Sequence, residues 1–358
     1  MNPSAGAATM AVQSVRSGLV ESVHRVAVAV TDAAGALVAS AGDPLAVAWW
    51  RSAAKPFQAL PLVEDGAADA LGLDDEELAL ACASHSSEAR HRAIAARMLR
   101  RLGLGEEALA CGPHPPLGAA VQEALVRDGV QPTPIWSNCS GKHAGMLALA
   151  RHHGWPVQGY ERAGHPVQER IVRSILAWSD AGRDELRLGV DGCTAVCFAL
   201  PLTRMATAYA RLAAGTSAAG ARVRDVMLAH PGLIAGTGRP CTDIMEAWPG
   251  EIITKVGADG IYSAALPRLR LGLALKVESG DGRAAPVALV AIVRQLLARV
   301  APGLAAEFPA ASLDRYVSPE IRNTRGSVTG VMRVSGELRF HAPSGAATMN
   351  APVSHEVV

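Results

Sequence analysis

The first readable pattern is a strand. Residues 22–31, SVHRVAVAVT, alternate and are rich in valine, which suits a pleated, half-buried surface. The turn DAAG (32–35) and the run ALVASAG (36–42) extend it into a predicted hairpin over 22–42. Beyond Pro44, LAVAWWRSA leads into KPFQALPLVED, where a helix is predicted to start near Ser52. Pro56 sets that start, because proline is tolerated only in a helix's first turn. Residues 76–110 carry Ala, Leu and Arg at helical spacing, interrupted by SHSSE. The three prolines of CGPHPPLGA (111–119) predict a loop. Helical pattern returns over 119–128, 143–153 and 164–178.

RLGVDGC (187–193) and AVCFALPL read as strands, followed by helices over 203–214 and 220–229. The last third changes character. EIITKVG, GIYSAALP and LRLGLALKVE are short runs parted by glycine or proline, the signature of consecutive antiparallel strands. An amphipathic helix, PVALVAIVRQLLARV (286–300), and a last strand in GVMRVSGEL (330–338) complete the pattern. Together these elements predict an α+β fold: an antiparallel sheet formed by both chain ends, with a helical lobe inserted between them. The expected organisation is one catalytic domain over 19–350, after an N-terminal extension at 1–18. Its sheet would come from about 19–50 and 187–350, and its helical lobe from about 52–180.

Composition narrows the partners. With 49% hydrophobic and 19% charged residues, the 358-residue chain can fill a core. Its 34 basic and 33 acidic residues leave a formal net charge of +1, no electrostatic reason to expect nucleic acid or an acidic membrane. The start, MNPSAGAATMAVQSVRSG, does not read as a signal peptide, and no apolar stretch reaches membrane-spanning length. A cytoplasmic protein is expected, and its six cysteines would then be free thiols or ligands. Of the 34 basic residues only Lys55, Lys142, Lys255 and Lys276 are lysine. A lysine that survives such an arginine bias is a candidate for work that needs a neutral amine, which arginine cannot supply.

Ser52-Ala-Ala-Lys55-Pro56 places a serine and a lysine three apart at a helix start, where the amine can approach the hydroxyl and act as its base. Lys255-Val-Gly257 on a late strand resembles the Lys-Thr-Gly element of penicillin-recognising serine hydrolases, which also use Ser-x-x-Lys. Their middle Ser-x-Asn or Tyr-x-Asn element is absent between the two. Ser84, in CASHSSE, lies where a second active-site serine could stand, although that segment also reads as a helix-capping loop. SNCSGKHAGML (137–147) packs Cys139, Ser140, Gly141, Lys142 and His143 together before a helix, and Ser140-Gly141 would offer backbone N–H groups to an anion. VDGCTAVC brings Asp191 and Cys193 into a second glycine turn. The usual Cys-x-x-Cys spacing is missing, so spacing alone reads Cys139 and Cys193 as structural thiols. The GTGR segment (236–239) lacks a phosphate loop's Lys-Ser/Thr ending and reads as a turn.

Taken together, RSAAKPFQALPL, CASHSSE, CGPHPP, SNCSGKHAGMLALA, GVDGCTAVCFALPL, AHPGLIAGTGRPCTDIM, ITKVGADGIYSAALP and GLALKVESGDGR resemble the Rhizobium-type (asparaginase II, class 3) bacterial L-asparaginases. That resemblance implies a serine β-lactamase-like fold, a homodimer, and hydrolysis of the L-asparagine side-chain amide to aspartate and ammonia. It implies two Ser–Lys pairs, mapping onto Ser52 with Lys55 and Ser84 with Lys255, with Lys276 an alternative to Lys255. It also implies a zinc site mapping onto Cys139, Lys142 and Cys193, with Asp191, His143 and Arg239 close by. Ser140, Gly141, His143, Asp191 and Arg239 are the expected substrate contacts. The same pattern leaves open a glutaminase or penicillin-interacting serine hydrolase, and a catalytically inactive amino-acid-binding protein. Against the last, every candidate catalytic side chain is of a competent type.

Overall fold

The computed structural model describes residues 9–342. Its strands are β1 (Met10–Arg16), β2 (Leu19–Asp32), β3 (Leu37–Ala41), β4 (Val47–Trp49), β5 (Arg187–Val190), β6 (Val196–Pro201), β7 (Ile253–Val256), β8 (Ile261–Leu266), β9 (Leu271–Val277), β10 (Glu320–Arg322), β11 (Val328–Gly336) and β12 (Arg339–Phe340). The main antiparallel sheet runs β10-β11-β1-β2-β9-β8-β7, with β3 pairing β2 and β12 pairing β3. Both chain ends build it, and the helices from residue 55 to 179 lie between its two halves in sequence. The α+β architecture read from the sequence is therefore the one observed.

The long β2 organises this sheet. Its first half is largely exposed and pairs β1, whereas Val26–Thr31 is buried and pairs β3 on one edge and β9 on the other. The predicted hairpin is β2–β3, closed by Asp32, whose carboxylate accepts the N–H groups of Ala34 and Ala36. β8 is buried at every position and β9 at nearly all. Burial at consecutive positions needs cover on both faces of the sheet. The helices Leu202–Ala214 and Ala284–Val300 pack there and supply it.

Two expectations are corrected. Residues 10–16, assigned to an N-terminal extension, form β1, paired on both sides by β11 and β2. Its MAVQSVR alternates, but the small and polar residues before it hide the start; residues 1–8 of that extension, and 343–350 of the expected domain, lie outside the described residues. The stretch 187–201 does not join the main sheet: β5 and β6 pair with β4 in a separate three-stranded sheet. Strand period alone cannot distinguish those partners, because β4 is a three-residue strand with no turn signal joining it to β6.

A Cβ on Gly272 of β9 would lie 2.0 Å from the Ala206 carbonyl and 2.2 Å from the Ala210 nitrogen, both backbone atoms of the helix above. Neither can move without shifting the helix, so Gly272→Ala should cost about 1–3 kcal/mol or more. Urea unfolding measures it. An unchanged midpoint would show that strand and helix separate more easily than this contact implies.

Candidate active site

Ser52 sits on a 3-10 turn, Arg51–Ala54, that runs straight into the helix Lys55–Glu64 with Pro56 in its first turn. The turn is anchored from below. Trp50 stacks on Phe57 at 4.9 Å between ring centroids, Tyr209 meets both rings edge-on, and the Tyr209 hydroxyl donates to the Ala53 carbonyl at 2.7 Å. A chain with only 4% aromatics thus places three of them under one serine. Arg51 adopts φ +53°, a left-handed conformation costly for a residue with a Cβ. It is held there by ion pairs to Asp191 at 3.0 Å and Asp259 at 3.2 Å.

Lys55 lies wholly inside. Its amine donates to the Ala83 carbonyl at 2.6 Å, the Ser84 hydroxyl at 2.8 Å and the Cys139 sulfur at 3.1 Å. The Ser52 hydroxyl is not among its partners. Lys255, on β7, is also fully buried and reaches the same Ser84 oxygen at 2.8 Å, with the Val256 carbonyl at 3.0 Å. Both amines therefore converge on Ser84. Lys276 points elsewhere, to the Val277 carbonyl. Burial, then the neighbouring Lys55 charge, pulls the Lys255 amine down to about 7. A neutral Lys255 offers a lone pair to the Ser84 hydroxyl proton while Lys55 donates to the same oxygen.

The Ser84 loop joins the helices Asp75–Ala81 and Ala89–Arg101. Glu88 opens the second of these, and its carboxylate accepts the Thr237 N–H at 2.7 Å, docking the GTGR turn against the loop. Ser87 has φ +60° and donates to the Trp136 carbonyl, so a polar side chain holds a conformation that glycine would adopt freely. His85 accepts the Ser87 N–H on Nδ1, which leaves Nε2–H to donate to Ser140 at 3.0 Å.

A second cluster adjoins the first. The Lys142 amine lies 2.9 Å from the Cys193 sulfur, and the Lys55 amine lies 3.1 Å from that of Cys139. The neighbouring Cys139 thiol, then the Lys142 charge, hold the Cys193 thiol far below its ordinary range. Cys139, beside Cys193 and also buried, is pushed well above its own. Burial works against a charged Lys142, but Cys193, Cys139 and Asp191 outweigh it and raise the amine above the lysine range. Among the described residues no group of three His, Cys, Asp or Glu side chains is arranged to hold a metal ion; the nitrogen that completes this cluster is an amine.

Ser52 and Ser84 open into one cavity of about 360 Å³, which also exposes Cys139, Cys193, Asp191 and Arg239. Of the expected substrate contacts, Asp191 and Arg239 reach it. Ser140 and His143 are fully buried, and Gly141 is a packing residue whose Cβ would meet the Leu80 carbonyl at 2.4 Å. Gly257 does line the cavity, but its missing side chain also makes room for Ile261, 2.0 Å from where a Cβ would stand. The sequence reading did not single out Arg51, Cys111, His114 or Asn138; all four line the wall. Arg51 carried the one available signal, its place beside Ser52, whereas its backbone conformation leaves no trace in residue type.

A buried serine held between two lysines at the base of a cavity is the equipment of a hydrolase. The sequence model of the L-asparaginase II family matches residues 12–334, and the chain belongs to that family. No curated protein sequence matches it. A solved β-lactamase from Mycobacterium bovis is similar at 16% identity over 81% of this chain and 94% of its own, with a TM-score of 0.39. Among the described residues no helix is long and apolar enough to cross a membrane.

Proposed function

We propose that this chain hydrolyses the side-chain amide of L-asparagine to aspartate and ammonia by way of an acyl-enzyme. The observation that carries this reading is the convergence of Lys55 and Lys255 on Ser84 beside Ser52 in a cavity of amino-acid size. Arg239 offers a positive charge to the substrate carboxylate and Asp191 a negative one to its ammonium. Ser52 attacks the amide carbon, and its proton passes through Ser84 to the neutral Lys255 amine. Collapse of the tetrahedral species breaks the C–N bond, and the protonated amine returns the proton to the leaving ammonia. Water, activated by the same relay, then splits the ester and releases aspartate. A second reading makes Ser84 the nucleophile, because Ser84 rather than Ser52 already holds hydrogen bonds to both amines.

Two thiols on one cavity wall, one of them in contact with a buried amine, suit zinc, which favours sulfur and nitrogen donors. We therefore propose that Cys139, Lys142 and Cys193 hold one zinc ion. Bound there, zinc would supply a fixed positive charge beside the cavity that helps seat the substrate. For Lys142 and Cys139 to serve as ligands, both must give up protons that the metal-free cluster retains.

Ammonia release from asparagine and glutamine, with turnover of a chromogenic cephalosporin, tests the activity. Asparagine should win over glutamine by about 10–200-fold, the discrimination one methylene allows. No ammonia from either would leave the binding-protein reading. Ser52→Ala should lose several orders of magnitude in turnover. Mass spectrometry of substrate-quenched protein should show the acyl adduct in Ser84→Ala and not in Ser52→Ala; the reverse pattern would make Ser84 the nucleophile. The pH profile follows from Lys255. The amine must be neutral to accept the proton, so kcat/KM should rise through about 7 and level off above it. Lys255→Arg should lose activity by about 10²–10⁴-fold, because guanidinium accepts no proton. Retained activity in that variant would remove Lys255 as the base. Zinc affinity, measured against a chromophoric chelator, should strengthen from mildly acidic to mildly basic buffer, with protons released on loading. A pH-independent affinity would argue against the lysine ligand.

A further inference from the structure

His91 is the third residue of the helix Ala89–Arg101 and is buried. Its Nδ1 accepts the Glu88 N–H at 3.1 Å, and its Nε2 lies 3.1 Å from the Gly232 carbonyl. A backbone N–H can only donate and a carbonyl can only accept, so Nδ1 is bare and Nε2 carries the proton. The imidazole is therefore neutral, with both nitrogens in use.

Those two bonds join segments that each deliver a residue to the cavity. Glu88 closes the loop that carries Ser84, and Gly232 lies in the short helix Pro231–Ile234, which leads through the GTGR turn to Arg239. The same segments meet twice more. The Glu88 carboxylate accepts the Thr237 N–H at 2.7 Å, and the Arg239 guanidinium donates to the Ser86 hydroxyl at 3.4 Å. A second proton on the ring has no place, because Nδ1 would then set its own N–H against that of Glu88. Burial disfavours the charged ring first, and Arg90, Arg239 and the His85 imidazole, stacked at 5.0 Å, add to this. The Gly232 carbonyl and the Glu88 charge work the other way without prevailing.

We infer that His91 is a positioning residue, a neutral imidazole that clasps the Ser84 loop to the Arg239 turn and releases both when it takes a proton. In the opened form the ring titrates near its free value of about 6.5. Acid below that pH therefore favours opening, by at most about tenfold per pH unit for one proton, and the clasp is untouched above it. The clasp itself needs no substrate; its effect on KM rests on the proposed asparaginase reading.

The experiment is hydrogen–deuterium exchange of the full-length protein from about pH 7.5 to about 5.5, above the range where carboxylates protonate. Peptides covering 84–92 and 232–240 are compared with their unstructured counterparts at each pH, which removes the chemical pH dependence of exchange. Both segments should be protected at neutral pH and lose protection together below about 6.5, by up to about tenfold per unit. Glutamine is a usual capping-box residue at this helix position, and its amide oxygen accepts the Glu88 N–H without titrating. His91→Gln should therefore keep the neutral-pH protection and lose the acid dependence at 232–240. Acid-independent protection in the wild type, or the same acid loss in a folded His91→Gln, would overturn the inference. A second measurement needs no variant. 15N-histidine spectra should show a bare Nδ1 at neutral pH, and a doubly protonated His91 in protein whose two segments stay protected would overturn the clasp. On the asparaginase reading, acid should raise KM for asparagine more in the wild type than in His91→Gln, because Arg239 loosens with the clasp while Lys255 titrates equally in both. Absence of turnover would sink that reading alone, and the exchange data would still decide the clasp.

Discussion

The constraint on which the rest of the molecule depends is the burial of two lysine amines against one serine hydroxyl. An isolated ammonium is expensive to bury, and two in near contact cannot both stay charged cheaply. Lys55 and Lys255 are both fully enclosed, and both reach the Ser84 oxygen at 2.8 Å. The conflict resolves by division of labour. Lys55 has acceptors for three N–H groups, in Ala83, Ser84 and Cys139. Lys255 lies where burial and the Lys55 charge favour the neutral amine near pH 7. A proton donor and a proton acceptor then stand on opposite sides of one hydroxyl, the arrangement general acid–base chemistry requires.

Holding that arrangement demands a stiff surround, and the fold supplies it from distant parts of the chain. Lys255 arrives on β7, paired in register with β8. Lys55 arrives on a helix whose entry is fixed by Pro56 and by the Trp50, Phe57 and Tyr209 cluster. Ser84 arrives on a loop whose Ser84 N–H donates to the Ile234 carbonyl and whose His85 N–H donates to the Asn138 carbonyl. None of the three elements is adjacent in sequence to another, so the site exists only when sheet and lobe are docked.

That geography explains what the sequence could disclose. Local signals were legible: the alternation in SVHRVAVAVT, the proline fixing the Lys55 helix, the glycine-parted strands β7 to β9, and four lysines standing out against thirty arginines in 34 basic residues. Pairings set by tertiary contact were not. Ser-x-x-Lys spacing predicts Ser52 facing Lys55, but the amine finds the carbonyl and hydroxyl of the Ser84 loop, which no local pattern brings near. Gly141 reads as an anion site and proves to be where a helix meets Leu80, because a missing side chain serves close packing as readily as binding. Arg51 is hidden for a third reason: its strain lies in φ and its ion pairs come from residues 140 and 208 positions away.

The thiol cluster obeys the same physics with the signs exchanged. There the Lys142 amine and the Cys193 sulfur lie 2.9 Å apart, and each favours the charged form of the other. The two clusters are not independent. Lys55 donates to Ser84 on one side and to Cys139 on the other, at 2.8 and 3.1 Å. Whatever draws the proton from Cys139 makes its sulfur a stronger acceptor for the Lys55 N–H groups. The state of the sulfurs thus reaches the serine through a single amine, which gives a physical reason for a hydrolytic centre and a thiol centre to share one wall.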